Sequence, residues 1–151
     1  MQQRIFLALA IVVLAAGAAL ASEEDVLVPV HQFVDAINKG DTKTAVAACA
    51  SQTSILDEFP PYEWHGAGAC SSWANDFALD AKKNGITDAV LTLGKPLHVD
   101  VTAGRAYVVA PADFAFNQNG KPVKETGARF TFALHRTEDG WRITGWAWAK
   151  P

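Results

Sequence analysis

RAYVVAPADFAFNQNGKPVKETGARFTFALHRTEDGWRITGWAWA, residues 105–149, is the stretch that decides the fold. It holds three runs rich in β-branched and aromatic residues: Arg105 to Phe116, Glu125 to Arg136 and Trp141 to Ala149. Such residues fit a pleated, half-buried surface. Between the runs stand Asn117 to Pro122, with Asn119-Gly120 at its centre, and Glu138-Asp139-Gly140. Turns that short make neighbouring strands antiparallel. Upstream, Ala89 to Leu93 and Leu97 to Val101 read as further strands. Pro96 marks an edge or a bulge there, because proline cannot donate to a central ladder.

Before residue 85 the periodicity changes. Val30, Phe33, Val34 and Ile37 recur at helical spacing from a helix that begins near Asp25. Pro29 fits only near its first turn. Gly40 ends it, and Asp41 or Thr42 caps a second, short helix to about Ala50, with Ala45, Val46 and Cys49 inward. Pro60-Pro61 forbids helix after that, so Thr53 to Asp57 is read as a short strand with a turn and a short return. Gly66 to Asn84 forms the third helix, with Cys70, Trp73, Phe77 and Ala81 on one face. Three helices followed by long antiparallel strands give an α+β domain, with the helices packed on one sheet face.

The extreme N-terminus reads differently. Arg4 is the only charge before Glu23, and the run Ile5 to Leu20 is apolar apart from Gly17. This is the pattern of a signal peptide, and Ala19-Leu20-Ala21 places the cut after Ala21. A spanning helix needs about 20 apolar residues, more than this run supplies. Residues 1–21 are thus expected to leave a single domain, 22–151, secreted or periplasmic and without a stable membrane anchor. With 13 Lys and Arg against 16 Asp and Glu, no basic cluster argues for nucleic acid. In an oxidising compartment Cys49 and Cys70 form a disulfide; the alternative is two buried free thiols. No metal-ligand spacing and no cofactor motif is present.

In this order and spacing, several motifs resemble the nuclear transport factor 2-like superfamily, which includes SnoaL-like cyclases and ketosteroid isomerases. They are Phe33-Val34-Asp35-Ala36-Ile37-Asn38-Lys39-Gly40-Asp41, Asp57 after the second helix, Trp64-x-Gly66, and Gly140-Trp141-Arg142-Ile143. The resemblance spans nearly all of Asp25 to Lys150. It implies a cone-shaped α+β barrel, three N-terminal helices on a curved antiparallel sheet, around an apolar pocket. It also implies that Asp57 stands where the isomerases and cyclases place a general base. Their oxygen-holding tyrosine falls at Phe33 and their protonated aspartate at Phe132. Neither phenylalanine donates a hydrogen bond, which disfavours isomerase chemistry. Fold alone does not settle function.

The residues leave Asp57 two roles: a proton acceptor at a pocket wall, or a brace for the Pro60-Pro61 turn. Strand alternation would send Asp57 inward with Ile55 and turn Glu58 away. His65 and His98 are the candidate proton partners; each reads equally as a turn or surface residue, as do His31 and His135. The aromatic residues Trp64, Trp73, Phe77, Tyr107, Trp146 and Trp148 are candidate ligand contacts, or simply core. Under strict alternation Trp146 and Trp148 share a face with Thr144 and Arg142, and the family resemblance implies that this face points inward. Phe114, Phe116, Phe130 and Phe132 would drive homodimerisation if they point outward. Three functions remain. One is an exported domain holding a small apolar ligand in an aromatic-lined cone. The second is a lyase, isomerase or cyclase using Asp57 with His65 or His98. The third is a dimerisation domain with a filled cone. A roomy cavity with Asp57 at its wall, but no histidine beside it, favours the first.

Overall fold

The computed structural model describes residues 22–151; the expected signal peptide and its expected cut after Ala21 lie outside the described residues. The element order is α1 (Glu23–Asn38), α2 (Thr42–Ala47), β1 (Cys49–Leu56), β2 (Glu63–Ala67), α3 (Ala69–Lys83), β3 (Ile86–Leu93), β4 (His98–Thr102), β5 (Arg105–Gln118), β6 (Lys121–Thr137) and β7 (Gly140–Ala149). The chain is α+β, as the sequence implies.

Local chemistry explains the helix ends. The Ser22 hydroxyl accepts from the Asp25 N–H at 3.1 Å, and the Asp25 carboxylate accepts from the Ser22 N–H at 3.2 Å. This capping box starts α1 earlier than the periodicity suggests, so Pro29 sits inside the helix rather than in its first turn. Asp41 caps α2 through the Thr44 N–H at 3.0 Å. That helix stops at Ala47, and Cys49 opens β1 instead of closing the helix. Trp64 and Gly66 belong to β2, and α3 begins only at Ala69.

Seven strands form one sheet in the order β2-β1-β7-β6-β5-β3, with β4 also on β5. The sheet is mixed: β1 runs parallel to β7, which corrects the wholly antiparallel expectation. β1 and β7 lie far apart in sequence with most of the chain between them, so no local turn constrains their direction. The helices cover the concave face, where Val26, Val30 and Phe33 of α1 meet Ile55, Val108, Phe132, Leu134 and Ile143.

β7 does not alternate strictly. Ala133 pairs with Gly145 and Leu134 with Ile143, so Thr144 is an extra residue in the ladder. This bulge shifts the side-chain phase. Trp141 and Ile143 face the core before it, and Trp146 is buried after it. Trp146 and Trp148 therefore point inward, as the resemblance implies, but they share the interior with Trp141 and Ile143 rather than with Arg142 and Thr144. Gly145 allows β1 to approach: a Cβ there would lie 2.9 Å from the Ser54 carbonyl oxygen. Gly145→Ala is expected to cost about 1–3 kcal/mol by pushing β1 off β7. Urea unfolding checks this, and an unchanged midpoint would count against the close approach.

Phe130 and Phe132 are buried within the single chain, and Phe114 stacks near Phe116 on the same strand face. Phe130 and Phe132 fill the core and Phe114 lines the cone pocket, so these three no longer supply a motive for dimerisation, while Phe116 borders a separate surface depression with Pro122 and Val123. The Cys49–Cys70 disulfide is present, with a Cα–Cα distance of 6.5 Å. Among the described residues, no helix is long and apolar enough to cross a membrane.

Candidate functional site

β1 ends at Leu56, and the next residue is Asp57. The chain then turns through Pro60-Pro61 and returns, the Asp57 N–H donating to the Tyr62 carbonyl at 3.0 Å. This turn fixes the Asp57 backbone while its side chain reaches inward. Trp73 Nε1 on α3 donates to Asp57 Oδ2 at 2.7 Å. The Glu58 N–H donates to Asp57 Oδ1, also at 2.7 Å. Both carboxylate oxygens are thus held, and the bonds to a charged acceptor are short and strong.

Asp57 lies on the wall of a pocket of about 90 Å³, neither sealed nor flat. Trp73, Phe77, Phe130, Trp146 and Trp148 give it aromatic walls, and Ile37, Ala89 and Leu91 give it aliphatic ones. The rings brace each other. Trp73 stacks on Phe77 at 5.4 Å between centroids and meets Trp146 edge-on at 4.7 Å. Phe130 sits edge-on to Trp146 at 5.3 Å and to Trp148 at 5.5 Å. Edge-on packing of this kind favours fixed ring positions. Asn38 also lines the pocket, but its side chain both donates to and accepts from the Leu91 backbone at 2.8 Å. It ties α1 to β3 and has little left to offer a ligand.

Burial pushes the Asp57 carboxyl up to about 6. The Trp73 and Glu58 hydrogen bonds oppose this by stabilising the charge, and the neighbouring Glu58 and Asp80 charges add to the rise. Glu58 lines the pocket too, contrary to the expectation that it turns away. Strand alternation fails there because the strand has already ended. Burial also raises the Glu58 carboxyl, while Lys150 opposes the shift. Lys150 Nζ lies 3.2 Å from Glu58 and 3.3 Å from Glu125. One lysine therefore serves two carboxylates.

The sequence-predicted residues divide cleanly. Asp57, Trp73, Phe77, Trp146 and Trp148 come together in the pocket. Trp64 is buried beside it, its Nε1 donating to Asp76 Oδ2 at 2.8 Å. Tyr107 is half-exposed on β5 and outside the lining. His65 pairs with Glu63 at 3.2 Å on β2, with its side chain largely in solvent. His98 is exposed on β4. Neither histidine lines the pocket with Asp57. Phe33 and Phe132 are packed in the core.

Sequence reasoning missed Glu58, Phe59, Leu91, Phe114 and Phe130 as lining residues. It also missed a polar feature. Trp146 Nε1 is buried and has no acceptor among the described residues. The sequence named the Trp146 ring as a candidate ligand contact, but nothing in it shows that the indole N–H is left without an acceptor. A larger depression mixes charged residues such as Asp25, Arg136 and Arg142 with Val28, Pro29 and Trp141, and contains no predicted site residue.

No protein-family model matches the sequence, and no curated protein matches it. Solved structures do match in fold. A nuclear transport factor 2-like superfamily protein from Salmonella enterica serovar Typhimurium superposes with TM-score 0.71 at 18% identity, over 85% of this chain and 90% of that one. An NTF2-like protein with a cystatin-like fold from Novosphingobium aromaticivorans gives 0.68 at 14%, over 84% and 80%. A ketosteroid isomerase-like protein from Erwinia carotovora atroseptica gives 0.66 at 14%, over 84% and 94%. The chain has the nuclear transport factor 2-like cone fold, in agreement with the resemblance carried by its motifs.

Proposed function

We propose that this is an exported small-molecule-binding domain whose ligand enters the aromatic cone pocket and is anchored at Asp57. The observation that carries the reading is a pocket that remains open after the helices have packed, with a half-buried carboxylate on its wall. A domain serving only as a structural block would be expected to fill that space, since interiors are close-packed. The unpartnered Trp146 Nε1 supports the reading further. A buried donor left without an acceptor costs about 1–3 kcal/mol, and a ligand oxygen would remove that cost. Export is supported by the N-terminal pattern and is consistent with the Cys49–Cys70 bridge.

A second reading, acid–base catalysis by Asp57, draws on its titration near 6. The absence of a histidine from the lining places it behind simple binding.

The test is fluorescence titration of the mature chain with N-phenyl-1-naphthylamine, a neutral apolar dye. Saturable uptake is expected, with loss of at least tenfold in affinity for Leu91→Trp, which fills the pocket. Dye uptake that ignores Leu91→Trp, or no uptake by the parent protein, would sink the reading.

A further inference from the structure

The charges around the pocket are one-sided. Its lining includes two carboxylates, Asp57 and Glu58, and no lysine, arginine or histidine. Lys150 stands nearby, but it is shared between Glu58 and Glu125, so that trio carries a net negative charge when all three are ionised. Glu125 Oε2 is buried without a partner, so the lysine does not satisfy that carboxylate completely. Asp57 receives two N–H donors but faces no cation. The other charged groups acting on it, Glu58 and Asp80 on α3, are also acidic. A carboxylate in an apolar setting without a counter-charge is costly.

The rest of the lining suits the missing partner. Indole and phenyl faces carry a negative quadrupole and attract cations within about 6 Å of the ring centroid, tryptophan most strongly. Three tryptophans and four phenylalanines line this pocket. Their mutual packing fixes them in place without a ligand, so little ordering is needed on binding.

Building on the small-molecule reading above, we propose that the pocket receives an organic cation, a protonated or quaternary amine, seated against the tryptophan rings with Asp57 as its counter-ion. The volume of about 90 Å³ leaves room to seat a compact cationic headgroup against the rings. Aromatic walls supply the apolar contact that the methyl or methylene groups of such a cation require. A bound cation favours the ionised carboxylate, so binding near pH 6 drives a proton from Asp57. A neutral ligand of the same shape has no such effect.

The experiment compares choline with 3,3-dimethylbutan-1-ol, which has the same shape without the charge. Isothermal titration calorimetry is run at pH 6 in two buffers of different ionisation enthalpy, alongside the naphthylamine dye. Choline is expected to bind at least tenfold more tightly than the alcohol. Its binding should release up to about half a proton per site, as expected for a group half-protonated at that pH. Asp57→Asn, checked for a cooperative unfolding transition, should abolish both the preference and the proton release. If the alcohol binds as tightly as choline, or choline does not bind while the dye still does, the cation is overturned and the pocket stands. If the dye fails as well, both readings fall. The comparison of choline with the alcohol needs no variant, so a misfolded Asp57→Asn would leave the proposal testable.

Discussion

From pH 4 to pH 7 the folded protein is expected to lose stability through Asp57, by up to about 3 kcal/mol. Its carboxyl is raised from 3.8 to about 6, with burial as the largest cause. Between those two values the folded chain keeps the proton and the unfolded chain has released it. Stability therefore falls as pH rises through this window, because the folded state binds more protons there. The contribution is greatest below the unfolded value and is lost by the time pH has passed the folded one. Glu58, also raised by burial, adds a slope of the same sign.

Asp57→Asn should remove the Asp57 part of this slope. The amide has one oxygen where the carboxylate has two, so either Trp73 Nε1 or the Glu58 N–H loses its acceptor. That loss costs about 1–3 kcal/mol. The variant should accordingly be less stable than the parent at pH 4 and close to it at pH 7. Urea melts of both proteins at half-unit pH intervals give the difference directly, and other carboxylates cancel in it. Parallel curves across the whole range would show that Asp57 titrates as an ordinary carboxylate, and the anchoring role would lose its support.

Much of this architecture was legible because period and punctuation agree. The hairpin at Asn119-Gly120 joins β5 and β6 as its residues dictate, and the stripe Val30, Phe33, Val34 faces the core. Asp57 was legible because a strand of alternating burial leads directly to it. What stayed hidden depends on contacts between distant segments. The parallel pairing of β1 with β7 has no sequence period of its own. Gly145 looks like any strand glycine until Ser54 approaches it. One extra residue, Thr144, lets Trp141 point inward along with Trp146 and Trp148, which strict alternation would forbid. Glu58 was misplaced because alternation was carried two residues beyond the end of the strand, which stops at Leu56. The histidines were overvalued for a related reason: a ring on an outer strand or edge hairpin has the same sequence appearance as one facing a cavity.

Reducing the Cys49–Cys70 bridge is expected to cost roughly 3 kcal/mol, from the loop entropy it removes from the unfolded chain. The two cysteines are 21 residues apart in sequence. With a urea m-value of about 1–3 kcal/mol/M, the midpoint should fall by roughly 1–3 M. The position of the bridge gives it a consequence for the pocket as well. Cys49 opens β1, and Asp57 follows the other end of that strand. Cys70 lies in the first turn of α3, one helical turn before Trp73. The bridge thus clamps together the two elements that supply the acid and the indole of the Asp57–Trp73 hydrogen bond at 2.7 Å. β2 separates β1 from α3 in sequence, and its ladder to β1 is a short edge pairing. Without the covalent link, α3 is held by packing of Ala69, Cys70, Trp73 and Ala74 on its buried face and by the hydrogen bonds of Trp73 to Asp57 and of Trp64 to Asp76. Reduction should therefore weaken naphthylamine uptake at urea concentrations where the chain is still folded, in addition to lowering the midpoint. Cys49→Ala/Cys70→Ala should reproduce both effects without a reductant present. An unchanged midpoint after reduction, or two thiols titrating in unfolded protein that has met no reductant, would overturn the bridge as a stabilising element. A lowered midpoint with dye affinity unchanged in the folded protein would confine its role to the unfolded chain and leave the Asp57–Trp73 geometry to packing.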